Sequence, residues 1–346
     1  MGTGSTIKII IEKRSDAIDI CNQAIIVNLK KIGACVEVIL LNNQPFRNGF
    51  LNFITEIINT LRIVFIVDKN DIVLFTDPIS FNTLASICVR NKKYVVFYHY
   101  EKDPFYYKYL PFISYKEVLD KFDGIACISQ FSLSQLISLG VDTKKSKVIY
   151  YGINRDLFKP TLPKKDSYNY ILSVGSEEPR KNMENILKAF SILKKHFPDL
   201  KLLKVGKASQ KNRLGTMRSI KELQLTDSVI FTDYVEEGEL PQIYSNAKLL
   251  LFPSFLEGFG LPIMEAMACG CPVVTSDRNP MKELIGPNGE TVDPSRPESI
   301  AKMCEKILSD EVYRENVITN GLSRAQYFSW DRTTAEILNF INKPID

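Results

Sequence analysis

Apolar runs of strand length alternate with amphipathic segments of helix length along almost the whole chain. The apolar runs predict strands at residues 8–12, 36–41, 72–75, 94–98, 124–129, 147–151, 170–174, 202–205, 228–231, 248–252 and 273–276. The other segments predict helices at residues 18–32, 52–62, 81–90, 131–139, 183–195, 211–225, 240–247, 299–308, 312–326 and 332–341. Strands that alternate with helices form parallel sheets with both faces covered, so the pattern predicts an α/β protein.

The length of the chain favours two domains. At 346 residues it exceeds one ordinary domain and accommodates two of roughly 150 to 180 residues each. The stretch Thr161–Ser167 contains Pro163, Lys164 and Lys165 and has the composition of a linker. We therefore place the domain boundary near residue 160.

The overall charge gives no support to a nucleic-acid partner. The net charge is +4, and the sequence contains no nucleic-acid-binding motif. A charge of this size allows only a weak peripheral attraction to anionic lipid headgroups.

The compartment is predicted from the cysteines and from the apolar stretches. Seven cysteines without metal-like spacing indicate reduced thiols and a cytoplasmic protein. The N-terminal apolar run is too short for a secretory signal. The most apolar stretch, Gly49–Val67, contains Glu56 and Arg62, which argues against a membrane span. The predicted location is the cytoplasm, with the cytoplasmic face of the membrane as the alternative.

The segment between residues 248 and 277 carries the strongest candidate chemistry. A strand is followed by a glycine loop, a short helix that begins near Pro262, and a second strand. The helix N-terminus and the loop amides form a site for an anion such as phosphate. Glu257 and Glu265 flank this site, and carboxylates accept hydrogen bonds from sugar hydroxyls. Together they suggest a sugar nucleotide as the ligand; the alternative is a surface turn that happens to hold two glutamates.

Two further stretches carry candidate functional residues. Arg180 and Lys181 follow a strand and a glycine turn and precede a helix. Cations at a helix N-terminus oppose the helix dipole, which favours a diphosphate-binding role over a solvated helix end. Glu177 and Glu178 stand beside the two cations and are candidates to orient them. His99 follows the strand at 94–98, where open α/β sheets bind ligands, but a structural histidine fits equally well.

These segments resemble one enzyme family. The stretch Glu257-Gly-Phe-Gly-Leu-Pro-Ile-Met-Glu265 is similar to the glutamate–seven–glutamate motif of the retaining GT-B glycosyltransferases of the group 1 type, which include mannosyl- and glucosyltransferases. The stretch from Gly175 to Asn182 is similar to the family's basic signature, and Phe328-Ser329-Trp330 is typical of its C-terminal end.

The resemblance implies a GT-B fold, in which two Rossmann-like parallel-sheet domains face a cleft. The first domain would comprise residues 1–160 and a C-terminal helix at 331–346 that returns to it, and the second would comprise residues 161–330. The match is poorest in the first fifty residues, where Lys13-Arg14-Ser15-Asp16 replaces the expected glycine-rich loop.

The resemblance also implies roles for individual residues. The catalytic group would comprise His99 on the acceptor side, Lys181 and Glu257. Glu257 would also hold donor-sugar hydroxyls, and Glu265 would hold the ribose diol. The nucleobase would lie against Tyr234 and Val235. The donor diphosphate would be bound by Arg180, Lys181, Gly258, Phe259, Gly260 and Leu261.

The implied activity is transfer of a hexose, with a mannose type favoured, from a GDP- or UDP-linked sugar to a glycan or lipid-linked acceptor. The chain has no D-x-D motif near a strand end, so we expect no metal and no other cofactor. The alternatives are a catalytically silent sugar-nucleotide-binding partner protein and a sugar-nucleotide epimerase. Use of the two glutamates as a glycosidase acid–base pair would leave the phosphate-binding features without a purpose.

Overall fold

The structure, a computed structural model, describes residues 6–12, 17–41, 49–76, 83–98, 114–162 and 169–342. It divides into two compact units: Met1–Gly152 with Trp330–Asp346, and Ile153–Ser329. Each unit contains a six-stranded parallel sheet with helices packed against it. The predicted α/β class and the two parallel sheets are therefore confirmed.

The first unit has the strand order β2-β1-β3-β4-β5-β6, with every neighbouring pair parallel. Its strands are β1 (Ile7–Glu12), β2 (Val36–Leu41), β3 (Ile72–Phe75), β4 (Lys93–Phe97), β5 (Gly124–Cys127) and β6 (Ser146–Val148). Its helices before residue 152 are α1 (Ala17–Lys31), α2 (Gly49–Ile66), α3 (Thr83–Cys88), α4 (Tyr115–Leu119) and α5 (Gln130–Ser138). Strands β4 and β5 are fully buried, which explains why they read as unbroken apolar runs.

The second unit has the strand order β12-β11-β10-β7-β8-β9, again all parallel. Its strands are β7 (Tyr170–Val174), β8 (Lys201–Val205), β9 (Val229–Thr232), β10 (Leu249–Phe252), β11 (Val273–Ser276) and β12 (Glu290–Val292). Its helices are α6 (Met183–Leu193), α7 (Gln210–Glu222), α8 (Leu240–Asn246), α9 (Leu261–Ala268), α10 (Met281–Ile285), α11 (Pro297–Ser309) and α12 (Glu311–Ala325).

The last helix, α13 (Trp330–Asn342), belongs to the first unit. The Tyr94 hydroxyl donates a hydrogen bond to the Ile341 carbonyl at 3.0 Å, and the Tyr94 and Phe340 rings meet edge to face at 5.5 Å. A side chain at Gly124 would lie 2.6 Å from the Tyr94 ring, so only glycine fits beneath this contact. The predicted return of the C-terminal helix to the first domain is confirmed.

Helix α2 exposes apolar side chains to solvent and buries polar ones, unlike an ordinary surface helix. Its buried side includes the polar residues Glu56, Asn59 and Thr60, and burial raises the pKa of Glu56, whose carboxylate accepts a hydrogen bond from the Leu84 N–H at 2.9 Å. Its solvent side is apolar and consists of Ile54, Ile57, Ile58, Leu61, Val64, Phe65 and Ile66. Among the described residues, no helix combines the length and the apolar character that a membrane span needs.

Candidate functional site

The predicted donor-site residues lie at the carboxyl ends of neighbouring strands in the second unit. Strand β7 is central: β8 lies on one side of it and β10 on the other. Crossovers therefore leave β7 and β10 in opposite directions, which opens a crevice where α/β sheets bind ligands. Lys181 follows β7 and Glu257 follows β10, so the two lie at this crevice.

The two cations are held by a short 3₁₀ turn, Pro179–Lys181, that precedes α6. Asn182 closes the turn in the left-handed conformation, with φ of 64°. Its buried side-chain amide donates to the Pro253 carbonyl at 2.8 Å and to the Pro294 carbonyl at 2.7 Å. Asn182 therefore ties the cationic turn to the loops that follow β10 and β12, a positioning role that the sequence did not reveal.

Lys181 and Glu257 form a close ion pair. The ammonium lies 2.6 Å and 2.8 Å from the two carboxylate oxygens, and one guanidinium nitrogen of Arg180 lies 3.3 Å from the same carboxylate. The side chains of Glu257 and Lys181 are only 6% and 15% exposed. The carboxylate predicted to hold sugar hydroxyls and the cation predicted to hold phosphate thus neutralise each other in this structure.

Only one of the two neighbouring glutamates contacts the cationic pair. Glu178 accepts a hydrogen bond from Arg180 Nε at 2.7 Å. Glu177 points away and instead accepts from Arg213 Nε at 2.8 Å. The suggestion that both glutamates orient the pair was therefore right for Glu178 and wrong for Glu177, because the buried Glu177 finds its cation on α7.

The glycine loop after β10 leads into α9 as predicted. Gly260 precedes the helix with φ of 117°, and a side chain there would lie 3.2 Å from Leu284 Cδ1. No side chain caps the helix, Pro262 has no N–H, and the Ile263 N–H donates to the Gly260 carbonyl at 3.0 Å. The amides of the loop 258–261 are therefore the candidates for binding an anion at this helix end. Phe259 is buried beneath them. The left-handed Gly270 ends the helix region, as the sequence predicted.

Glu265 lies in α9 and is held by a residue that the sequence analysis missed. The buried Tyr244 hydroxyl donates a hydrogen bond to Glu265 Oε2 at 2.6 Å. Burial raises the pKa of Glu265 to about 7, although the tyrosine hydrogen bond opposes this shift. Tyr244 stays a donor because burial also raises its own pKa well above the usual range. Glu265 thus changes charge near neutral pH.

The predicted nucleobase residues follow β9. Tyr234 is 63% exposed, and the Lys207 ammonium lies 5.4 Å from the centre of its ring. Val235 is half-buried beside it. Asp233 accepts a hydrogen bond from Arg213 Nη2 at 2.6 Å, so this aspartate is engaged within the protein. An exposed aromatic ring at a strand end is a surface on which a planar base can stack.

Two features of the sequence analysis cannot be compared with the structure. The predicted catalytic residue His99 and the segment 13–16, which replaces the expected glycine-rich loop, both lie outside the described residues. Among the residues that the structure describes, no three His, Cys, Asp or Glu side chains come together as a metal site would require. The absence of a metal requirement stays a prediction.

A cavity of about 290 Å³ lies away from these residues, at the amino end of β11. Its lining includes Met267, Cys271, Val273, Ile285 and Tyr327, and it contains none of the predicted site residues. The cavity lies at the amino ends of the strands, whereas Lys181 and Glu257 lie at the carboxyl ends, so the two are separate.

One family model and several curated proteins match part of the chain. The family model for "Glycosyl transferases group 1" matches residues 154–324, which span the cationic turn, the glycine loop and both glutamates. The chain is 31% identical over 241 residues to the O-antigen chain mannosyltransferase B of Escherichia coli, covering 65% of this chain and 62% of that protein. It is 33% identical over 178 residues to the O-antigen chain mannosyltransferase RfbU of Salmonella typhimurium, covering 51% and 48%. The chain thus matches less than two thirds of the length of these curated relatives.

The fold is shared with solved structures. A crystal structure of HepE from Anabaena, in complex with UDP and glucose, superimposes with a TM-score of 0.80 at 19% sequence identity. The match covers 98% of this chain and all of that one. At this identity the likeness establishes the fold alone.

Proposed function

Because residues 154–324 belong to the glycosyl transferases group 1 family, we propose that the protein transfers a hexose from a nucleotide-diphosphate sugar to an acceptor hydroxyl. The single observation that carries this proposal is the Lys181–Glu257 pair at the β7–β10 crevice, beside the N-terminus of α9. A cation and helix amides for phosphate stand there within reach of a carboxylate for sugar hydroxyls.

The chemistry needs charge to be separated at the anomeric carbon. The bond from that carbon to the diphosphate oxygen breaks, leaving positive charge on the sugar ring and negative charge on the phosphate. Lys181, Arg180 and the amides at 258–261 stabilise the negative charge, and such preorganised electrostatic effects are usually the largest catalytic contribution. The acceptor oxygen attacks from the same face, its proton passes to the leaving phosphate, and the anomeric configuration is retained.

The Lys181–Glu257 ion pair fits this scheme. In the donor complex the diphosphate would contact the Lys181 ammonium, and the sugar hydroxyls would donate to the Glu257 carboxylate. A mannose-type donor is favoured because the two relatives described above are named O-antigen chain mannosyltransferases. A growing glycan or a lipid-linked glycan is the corresponding acceptor class.

The first test is nucleotide binding followed by turnover. Thermal unfolding is measured with GDP, UDP, ADP and dTDP and with their sugar conjugates; a ligand at 100 times its Kd stabilises the fold by about 2.7 kcal/mol. We expect one base to stabilise the protein, and its hexose conjugate to be consumed only when an acceptor is added. Binding without turnover on any acceptor would favour the silent partner, and product formed without acceptor would favour an epimerase. No binding at all would overturn the proposal.

We predict that the transfer reaction does not need a divalent metal. The ammonium of Lys181, the guanidinium of Arg180 and the amides of α9 supply the charge that Mg²⁺ supplies in metal-dependent enzymes. The rate should therefore stay within about twofold when EDTA is added. Strong inhibition by EDTA that Mn²⁺ reverses would contradict this prediction.

We predict that donor affinity depends on the protonation of Glu265. The ionised carboxylate accepts hydrogen bonds from both ribose hydroxyls, whereas the protonated form loses charge and acceptor capacity. Since the pKa of Glu265 lies at about 7, affinity for GDP-mannose should fall as the pH drops below that value. The diester phosphates of this ligand do not titrate there. Calorimetric titration at pH values below about 7 should show the loss in the wild type and a flat profile in Glu265→Gln; the same slope in both would refute the assignment.

We further propose that the first unit contacts an anionic lipid surface through the apolar side of α2. This side carries Leu61 and Phe65, which are 52% and 84% exposed, and the exposed Arg62 and Lys69 lie next to it. Basic residues beside an exposed apolar helix face complement anionic headgroups. The protein would then work at the cytoplasmic face of the membrane, where a lipid-linked acceptor is found.

Co-sedimentation with vesicles tests this contact. We expect Leu61→Ser/Phe65→Ser to lower binding to anionic phospholipid vesicles about tenfold, because two large apolar side chains no longer enter the interface. The matched control is Ile137→Ser, which removes a side chain that is 61% exposed on α5 of the same unit. Equal binding by the double variant and the control, or no binding by the wild type, would disprove the proposal.

A further inference from the structure

A buried lysine lies beneath the candidate diphosphate site. Lys204 is the last residue but one of β8 and is only 2% exposed, although lysine is almost never fully buried without partners. Its ammonium donates to the carbonyl of Gly175 and, at 3.0 Å, to that of Val205. A third carbonyl, that of Gly206, lies 3.5 Å away. The charge is thus held by backbone dipoles at the carboxyl ends of β7 and β8.

Lys204 and Lys181 both contact the same residue, Gly175. A side chain at Gly175 would lie 3.4 Å from Lys181 Cε and 3.5 Å from Lys181 Nζ. A side chain at Gly206 would lie 2.3 Å from the Gly175 oxygen. The two loops therefore approach closely, and the Gly175 N–H also donates to the Val205 carbonyl at 2.9 Å. Gly175 contacts the Lys204 ammonium through its carbonyl and lies against the Lys181 side chain.

Charges of both signs act on Lys204. Glu177 and Asp233 favour its protonated form, whereas Arg213 and Lys181 oppose it. Burial is the largest influence and lowers the pKa of Lys204 to about 8. Lysine at this position therefore exchanges its proton close to neutral pH.

We infer that Lys204 is a positioning residue for the donor: its ammonium fixes the Gly175 carbonyl and with it Lys181, and adds a buried positive charge beneath the donor diphosphate. This inference rests on the proposed function, because it assumes that a diphosphate binds at Lys181. It assigns a role to a residue that lies outside the turn and the glycine loop, in a strand where the sequence pattern shows only an apolar run.

With this arrangement, donor binding and the protonation of Lys204 are coupled. An anion bound above Gly175 favours the charged form of Lys204, so donor binding raises the pKa of this lysine and draws in a proton. By reciprocity, donor affinity is highest where Lys204 is already protonated and falls as the pH rises through about 8.

The experiment is calorimetric titration with GDP-mannose near pH 8 in two buffers of different ionisation enthalpy, repeated at about pH 7 and about pH 9. The wild type should take up a fraction of a proton at about pH 8 and lose affinity about threefold or more between about pH 8 and about pH 9, where Glu265 is already ionised. Lys204→Arg, which stays protonated throughout, should show neither this proton uptake nor this loss, and only the dependence on Glu265 at about pH 7 should remain. Lys204→Met should lose the proton uptake and bind weakly at every pH.

Lys201→Met is the control on the same strand, since its ammonium donates to the Asp227 carbonyl on the surface and should leave the linkage intact. Proton uptake that is equal in wild type and Lys204→Arg would overturn the inference while leaving the proposed function standing. If Lys204→Met does not fold, the comparison of wild type with Lys204→Arg still decides. Failure of the wild type to bind any nucleotide sugar would overturn both proposals together.

Discussion

Replacing Lys181 by alanine should lower the rate of hexose transfer by about 100- to 1000-fold, the loss seen when one preorganised charge-stabilising donor is removed. Lys181 is the cation closest to Glu257 and lies at the crevice beside the α9 amides. Arg180 is more exposed and already pairs with Glu178, so it cannot replace the lost ammonium. The measurement is kcat with a saturating donor and acceptor.

Two variants separate chemistry from folding in this test. Lys181→Ala leaves the nearly buried Glu257 with only the more distant Arg180, so the variant should also melt at a lower temperature. Lys181→Ala/Glu257→Gln removes the unpaired charge and should recover much of the melting temperature without recovering activity. Lys188→Ala, in the following helix, removes an exposed lysine and should behave like wild type. Full activity in Lys181→Ala would remove Lys181 from the mechanism.

Replacing Glu257 by glutamine should separate nucleotide binding from transfer. A hydrogen bond from a sugar hydroxyl to a carboxylate contributes about 1.5 to 3 kcal/mol, so transfer should fall by about 10- to 100-fold. Affinity for the nucleoside diphosphate alone should stay equal or increase, because Lys181 is released from its partner. Calorimetry with GDP or UDP and a turnover assay on the same preparation provide the comparison.

Glu178→Gln is the matched control for this second variant. Glu178 also pairs with Arg180, but its side chain is 48% exposed, so its loss should change either quantity by less than about twofold. If Glu257→Gln lost nucleotide affinity and transfer in equal measure, Glu257 would be a support for Lys181 rather than a ligand for the sugar.

The long elements of the fold were predictable because their patterns are local. The bounds of β2, β3, β7 and β11 agree with the predicted ones to the residue. Helices α4 and α10 were missed, since five residues are too few to show a helical period. One signal was present for α4: Ser114 and Glu117 form a capping box, with the Ser114 N–H donating to Glu117 at 2.6 Å.

Helix α2 was predicted at 52–62 but extends over Gly49–Ile66. The residues that extend its C-terminal end, Ile63–Ile66, are all apolar and include no glycine or proline, so the sequence contains no signal that ends the helix at residue 62. Which side of this helix faces the sheet was not predictable either. An amphipathic pattern distinguishes two sides of a helix, and the apolar side is normally the buried one. In α2 seven large apolar side chains are exposed, while Glu56, Asn59 and Thr60 are buried.

The candidate site was likewise predictable only in part: its residues could be identified from the sequence, but their partners could not. Arg180, Lys181, Glu257 and Glu265 stand in contiguous motifs and could be identified from residue type and spacing. Their partners could not, because those contacts join positions far apart in the chain. Tyr244 reaches Glu265 across 21 positions, and Lys181 reaches Glu257 across 76. Lys204 is hidden in an apolar run, where only the fold reveals the carbonyls around it.

The return of α13 to the first unit affects the order in which the chain can fold. The second unit is a continuous segment, Ile153–Ser329, and all of its strands are available before α13 is synthesised. The first unit begins earlier but needs α13 to cover Tyr94, whose partner Ile341 is 247 positions away. Such a distant contact has a large loop-closure cost unless the intervening segment is already compact. The second unit, once folded, is that compact segment, so the unit that starts first is completed last.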